Sequence, residues 1–345
     1  MESMNLHKEQ GKVLARLAES EDFPHILLYG PSGAGKRTLT KCLLQALYKS
    51  PNVHKIKSEH KEFRASSTSS TMVDCVVFSS NFHLEVTPSE ADSHDRIIVQ
   101  KLIKEVAGSQ QLDAKVQKSF KIVVIHEIDN LTNEAQAALR RTMETYMPYC
   151  RIVANAESLS RVIMPVRSRC LQIRVPAPTN DEIGAVLKSI CVDQKIDLPP
   201  KLSHEIAHAS NRNLRKAIMM LQSVCLKTNA HPTDRTTVPV PEYESFVKEI
   251  VMDTLKEQSP KNLRHIRTKL YELLTKGITA EIIFLLLVRF FMKRVDQSLQ
   301  KHVLKYATIF EHRCKAGSKA IMHIEAYLAR MMATVKAHQV NHGRR

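Results

Sequence analysis

None of the seven cysteines stands in a CxxC pair, and none is spaced with histidine as metal ligands are. Scattered at Cys42, Cys75, Cys150, Cys170, Cys191, Cys225 and Cys314, they read as buried thiols of a reducing compartment. The opening residues MESMNLHKEQ lack the apolar core of a signal peptide. No apolar run has the length of a bilayer span: the greasiest, Ile282 to Met292, is short and carries Arg289, so it reads as a buried helix and no membrane partner is expected. Acidic residues are also scarce, 35 against 51 Lys and Arg, giving a formal charge of +16. That balance favours a polyanionic partner such as nucleic acid, although it also suits an acidic protein partner or plain solubility.

What is present is length and order. A chain of 345 residues, 43% apolar and 25% charged, has the composition of a globular protein and the length of two or three domains. Short β-branched runs recur at His25–Tyr29, Asp74–Phe78, Lys121–Ile125, Cys150–Ala154 and Leu171–Val175, and each reads as a buried strand. Helical patterns lie between them, such as Leu39, Leu43, Ala46 and Leu47, and this alternation predicts a mostly parallel α/β sheet. The segments Lys49–Lys61 and Arg64–Thr71 read as solvated loops.

After VPAPTNDE, Val175 to Glu182, strand signals nearly vanish. Residues 180–228 read as a small helical unit, and Lys227–Glu242 as a polar, proline-bearing linker. A helix then starts at Ser259-Pro260, a capping residue followed by proline at the first helical position, and ends near Gly277. Others are predicted over Ala280–Val295, Leu299–Lys315 and Ser318–His338. The expected division is 1–176 for an α/β domain, 177–230 for a helical lid, 231–241 for a linker and 242–345 for a helical domain.

Gly30, Pro31, Ser32, Gly33, Ala34, Gly35 and Lys36 follow the first strand and match the phosphate-binding loop: Gly, four residues, Gly, Lys. Glycines let backbone N–H groups converge on phosphate, the following helix N-terminus favours its charge, and lysine reaches the terminal phosphates. ATP or ADP is the expected ligand; the alternative is a glycine turn whose site has decayed. The next residue should carry a hydroxyl for Mg²⁺ but is Arg37. Thr38 lies about 100° further around the helix and does not simply replace that hydroxyl. The second half of a metal site, an Asp after the apolar strand, is His126, followed by Glu127, which could position water. Asp129 is offset from the strand end. Two losses predict a defective Mg²⁺ site and weak or absent hydrolysis, because the metal neutralises charge in the transition state. Arg37 then either supplies a fixed positive charge in place of the metal or is an inconsequential surface residue.

The segments HILLYGPSGAGKRT, SSNFHLEVTPSEADSHDRIIVQ, NEAQAALRRTMETYM, IMPVRSRCLQIRVPAPT, NRNLRKAIMMLQ and EHRCKAGSKAIMHIEAYLARMM together resemble the small subunits of replication factor C, the AAA+ sliding-clamp loader of eukaryotes. The resemblance covers residues 6–338, and LRRTMETY with RSRC is its most specific part. It implies an AAA+ P-loop domain, a lid and a C-terminal collar through which five subunits assemble. It implies the sliding clamp PCNA and primer-template DNA as partners, ATP-driven clamp loading in DNA replication and repair, and a nuclear location; Arg344 and Arg345 alone are too few for a targeting signal.

Residue by residue, the resemblance places Arg169 where these subunits carry an arginine finger for the neighbouring ATP site; taken alone it would be a solvated charge. Arg215 falls at the lid position that touches a subunit's own nucleotide, or else is a salt-bridged helix residue. Arg140 and Arg141 match residues near the DNA chamber, against the alternative of an exposed basic helix face. Ile321, Ile324, Tyr327 and Leu328 could pack internally or on a neighbour. The family's matching subunit is similarly altered at its metal positions, which implies a chain that holds nucleotide and serves the next site. Two departures stand out. The family's opening Trp-Val-Asp-Lys-Tyr-Arg-Pro-like segment, which packs by the adenine, has no counterpart in a sequence without tryptophan. The first sensor Asn aligns with Glu157, while Asn155 lies two residues earlier. The competing expectations are a self-sufficient AAA+ ATPase motor and a nucleotide-free scaffold.

Overall fold

The computed structural model describes residues 6–342 except Glu21, 49–55, 65–71, 90–93, 109–119, Pro148, 230–231, 234–235 and Ser318. Most of the predicted loops at 49–61 and 64–71, and the tail Arg344 and Arg345, therefore lie outside the described residues. The chain divides into two compact units, residues 1–238 and 239–345.

The first unit begins with α1 (Lys8–Glu19), β1 (His25–Tyr29) and α2 (Lys36–Tyr48). Then come β2 (Lys57–Arg64), β3 (Met72–Ser79), β4 (His83–Val86), α3 (Asp95–Gly108) and β5 (Lys121–Ile125). The α/β part closes with α4 (Asn133–Thr145), β6 (Cys150–Ala156), the short α5 (Met164–Arg167) and β7 (Cys170–Arg174). The strand order is β2-β3-β4-β5-β6-β1-β7. From β4 to β7 all neighbours are parallel, and β2 and β3 extend the β4 edge antiparallel.

The central strands bury both faces, and their side chains alternate between two apolar layers. Ile26 and Leu28 of β1 face α1 and α2 with Ile122 and Val124 of β5, while Leu27, Val123 and Ile125 face α3 and α4. Each fully buried aliphatic side chain contributes roughly 1.5–3 kcal/mol, so an arrangement that exposed either layer would lose most of the driving force.

Two strands depart from expectation. Lys57–Arg64 is a strand, not the loop predicted for Lys49–Lys61; it pairs along its whole length with β3, although Phe63 is the only buried residue among its described side chains. Pairing to a neighbour, rather than burial, makes it a strand. β4 was not anticipated at all, because two of its four buried residues, His83 and Glu85, are ionisable.

A helical group completes the first unit: α6 (Asn180–Asp193), α7 (Pro200–Ala209) and α8 (Leu214–Lys227), packed through Ile183, Leu187, Ile206, Ala217 and Leu221. Thr179 and Glu182 form a reciprocal capping box at the start of α6. Asn213 caps α8, its side chain accepting from Lys216 N at 3.0 Å.

The second unit is helical: α9 (Glu242–Lys256), α10 (Pro260–Thr275), α11 (Ala280–Met292), α12 (Gln297–Ala316) and α13 (Ala320–His342). Ser259 caps α10 at Asn262 N, 3.2 Å, with Pro260 in the first turn. The apolar run at 282–292 is α11, with Ile283, Leu287 and Phe291 in the core and Leu285 exposed. Among the described residues no helix is long and apolar enough to cross a membrane. Ile324, Tyr327 and Leu328 lie in this unit's core, and Ile321 packs against it.

Candidate nucleotide-binding site

Where β1 ends, the chain turns through Gly30–Gly35 into α2. Because β1 lies between β6 and β7, this turn opens at the carboxyl ends of the parallel strands, where open α/β sheets hold ligands. A cavity of about 550 Å³ lies there. Ser32, Gly33, Gly35, Lys36, Arg37 and Thr38 line it from the turn and α2, His126 and Glu127 from the end of β5, and Asn155, Ala156 and Glu157 from β6. Leu214, Arg215, Ile218 and Met219 of α8 close the other side. Gly33 has φ +72°, and a Cβ there would sit 1.9 Å from the Asn213 side-chain oxygen, so the loop and the start of α8 touch at a position only glycine fits.

Lys36 Nζ donates to Gly30 O at 2.6 Å and Pro31 O at 2.9 Å, which holds the ammonium across the mouth of the loop. Burial lowers its pKa; the carboxylates of Glu157, Asp129 and Glu127 oppose that shift, and the Arg215 charge adds to it. Arg215 makes no ion pair among the described residues, so two cations face one cavity without a carboxylate bound to either. An anion with several charges fits that electrostatic arrangement.

Arg37 Nη2 lies 3.7 Å from Glu127 Oε1, with both side chains about half exposed. Glu127 has left-handed backbone angles, φ 56° and ψ 44°, which turn its carboxylate toward α2. An exposed pair of this kind is worth at most about 1 kcal/mol, so it orients Glu127 more than it stabilises the fold. Asp129 is committed elsewhere: its Oδ2 accepts from Glu157 N at 3.2 Å and Ser158 N at 3.0 Å, fastening the end of β6.

His126 is buried and both its ring nitrogens are engaged. Asn155 Nδ2 donates to Nδ1 at 2.9 Å, so the ring proton sits on Nε2, which donates to Glu85 Oε2 at 3.2 Å. The other Glu85 oxygen accepts from His83 Nε2 at 3.2 Å, and Ser80 Oγ lies 2.8 Å from His83 Nδ1. On the cavity side Thr40 Oγ1 reaches Asn155 Oδ1 at 3.3 Å. The result is a continuous polar line from α2 across β6, β5 and β4. Burial raises the Glu85 pKa, but the hydrogen bonds from His126 and His83 outweigh it and hold the carboxyl well below its usual range. In this line Asn155 and His126 satisfy one another instead of presenting free ligand atoms. Sequence reasoning named His126 and Asn155 but had no signal for Glu85 and His83.

Arg169 does not line this cavity. Its guanidinium pairs with Glu144 Oε1 of α4, the Nε contact measuring 2.8 Å, and Nη1 donates to Pro165 O at 2.8 Å. The segments LRRTMETY and RSRC, far apart in sequence, are thereby joined by one ion pair. Arg140 and Arg141 are exposed on α4.

Three family models match the chain: "DNA polymerase III, delta subunit" over residues 6–179, "RCF1/5-like, AAA+ ATPase lid domain" over 185–226, and "Replication factor C subunit 3, C-terminal domain" over 243–339. Probable replication factor C subunit 3 of Dictyostelium discoideum is 42% identical over 336 residues, 97% of this chain and 96% of that protein. Replication factor C subunit 3 of Homo sapiens is 42% identical over 96% of this chain and 92% of that protein. In Schizosaccharomyces pombe the similar protein is replication factor C subunit 5, at 40%. The chain belongs to the replication factor C subunit 3/5 family. Among solved structures, a DNA polymerase III gamma subunit-related protein of Thermotoga maritima superposes with a TM-score of 0.51 at 15% identity, covering 94% of this chain and 99% of that one. A RuvB variant from the same organism gives 0.50 at 13% identity. These two share the fold, an α/β P-loop domain of AAA+ type followed by helical domains, which is the fold class expected from the replication factor C motifs.

Proposed function

We propose that this chain is a subunit of the heteropentameric replication factor C clamp loader that holds ATP or ADP without hydrolysing it and completes its neighbour's catalytic site with Arg169. The observation that carries the reading is the pair of substitutions at the metal positions within a chain otherwise similar to the family along its whole length: Arg37 in place of a hydroxyl, and His126, fully engaged, in place of a carboxylate. A Mg²⁺ ion would meet the Arg37 guanidinium and a satisfied imidazole, and these donors do not fit it. Lys36, Arg215 and the loop N–H groups remain to hold phosphates, and Arg37 adds fixed positive charge next to Glu127. Nucleotide retention therefore does not depend on Mg²⁺, and Glu127, turned toward Arg37, has no metal-bound γ-phosphate to work against.

Arg169 supports the trans role by its position, exposed and outside this chain's own cavity. An arginine supplied across an interface stabilises phosphoryl-transfer charge by roughly 10³–10⁵ in rate. The partners that follow are the sibling subunits, the sliding clamp PCNA and primer-template DNA, in the nucleus during replication and repair. Arg140 and Arg141 on the exposed side of α4 would track phosphates without reading sequence, so DNA affinity should fall steeply with salt. The test is clamp- and DNA-stimulated ATP hydrolysis by the assembled complex carrying Arg169→Ala. A fall of tens-fold or more with assembly intact is expected; unchanged turnover removes the trans role.

A further inference from the structure

We infer that His7 is a positioning residue for the phosphate loop: it pins the Ala34–Gly35 peptide so that the Gly35 N–H points into the nucleotide cavity. The inference rests on the nucleotide reading above and adds to it a residue from outside the loop. His7 precedes Ala34 by 27 residues, yet its Nε2 lies 2.8 Å from Ala34 O. A carbonyl oxygen can only accept, so Nε2 carries the proton and donates.

The peptide after Ala34 is trans, as is every described peptide bond, and in a trans peptide the C=O and the following N–H point in opposite directions. Ala34 is buried in the core shared by α1 and α2 and does not line the cavity, whereas Gly35 does. Fixing Ala34 O on the His7 side therefore fixes the Gly35 N–H on the phosphate side. A pin matters here because Gly35 has φ +99° and no atom within 4 Å of where a Cβ would stand. Glycine takes either sign of φ, so its own backbone does not hold this peptide in one orientation, and a turned peptide would present a carbonyl oxygen to phosphate.

His7 is itself held firmly enough to serve. Its backbone is left-handed, φ 58° and ψ 41°, a sparsely populated conformation for a side chain of this size that persists where surroundings specify it. Its carbonyl accepts from Gly11 N at 2.9 Å, the residue before it, Leu6, is buried, and Leu14 and Ala18 of α1 share a core with Leu39 and Leu43 of α2. Imidazole and loop are thus both mounted on the α1–α2 layer, and the hydrogen bond ties the start of α1 to the peptide between Ala34 and Gly35.

Calorimetric titration of the full-length chain with ADP tests this, comparing wild type with His7→Phe, which keeps a ring but has no donor, and His7→Gln, whose amide N–H can replace Nε2–H. The expected result is a roughly tenfold weaker ADP affinity for His7→Phe, affinity within about threefold of wild type for His7→Gln, and the same ligand-free melting temperature for all three proteins. ADP affinity unchanged in His7→Phe, or equally reduced in both variants, overturns the pin. Equal loss accompanied by a lower melting temperature shows that His7 only supports the fold. Absence of ADP binding by wild type defeats the nucleotide reading itself, and this inference with it.

Discussion

Glu85→Ala is the most informative single change in the α/β layer. Glu85 accepts hydrogen bonds from the imidazoles of His83 and His126, which are 2% and 5% exposed. Removing it leaves two buried N–H donors unpaired, each costing roughly 1–3 kcal/mol, and breaking a buried network of this kind usually costs about 3–5 kcal/mol in all. For a unit of this size about 1 kcal/mol shifts the melting temperature by 2–4 °C, so the transition of residues 1–238 should fall by on the order of 10 °C in differential scanning calorimetry. The pH dependence adds a second readout. The folded-state pKa of Glu85 is depressed, so more protons bind the unfolded chain, and stability rises with pH between the folded and unfolded values. The contribution is fully present above about pH 4.3 and is lost as pH falls below it, with a slope of up to about 1.4 kcal/mol per pH unit. Glu85→Ala should flatten that acid limb. A melting shift under about 2 °C, or an acid limb identical to wild type, refutes the role assigned to the network.

Gly33→Ala should cost about 2–3 kcal/mol, combining left-handed strain at φ +72° with displacement of the Asn213 cap, and should weaken ADP binding; thermal melting and titration read the two effects separately. Tyr327→Phe should stabilise the helical unit by about 1 kcal/mol in denaturant unfolding, because the Tyr327 hydroxyl is buried without a hydrogen-bond partner among the described residues and burial pushes its pKa up. Burial pushes the Cys150 thiol up to about 11 and the Cys170 thiol up to about 12, so mass-spectrometric mapping after alkylation at pH 8 should find both unlabelled until the unit unfolds, while half-buried Cys42 labels first.

The parts of the fold legible in the sequence are those where burial and periodicity agree. His25–Tyr29, Lys121–Ile125 and Cys150–Ala154 are apolar on both faces and could only be inner strands. β2 was illegible because its described residues are mostly exposed and its partner strand makes it, and β4 because a buried His–Glu pair imitates a loop in sequence. At the site, Gly30–Lys36 announces itself by spacing, since local geometry alone produces a phosphate loop. The groups around it are set by distant neighbours: Thr40 meets Asn155 across 115 residues, and His7 meets Ala34 across 27. No local pattern records such pairings, although Arg37 and His126 could each be singled out as departures from a known pattern.

The strand order has a consequence for how the chain is made. β1 leaves synthesis early, but both its neighbours in the sheet are late: it pairs with β6 and β7, and Tyr29 lies beside Arg174. At 5–20 residues per second, the roughly 127 residues that separate it from β6 take about 6–25 s to emerge, and β7 follows. During that interval Ile26, Leu27 and Leu28, which end with no exposed surface, have no sheet to enter. The element that begins the nucleotide site is therefore the one that waits longest for its partners on the ribosome, and its apolar run is the segment of the nascent chain in most need of shielding by a chaperone.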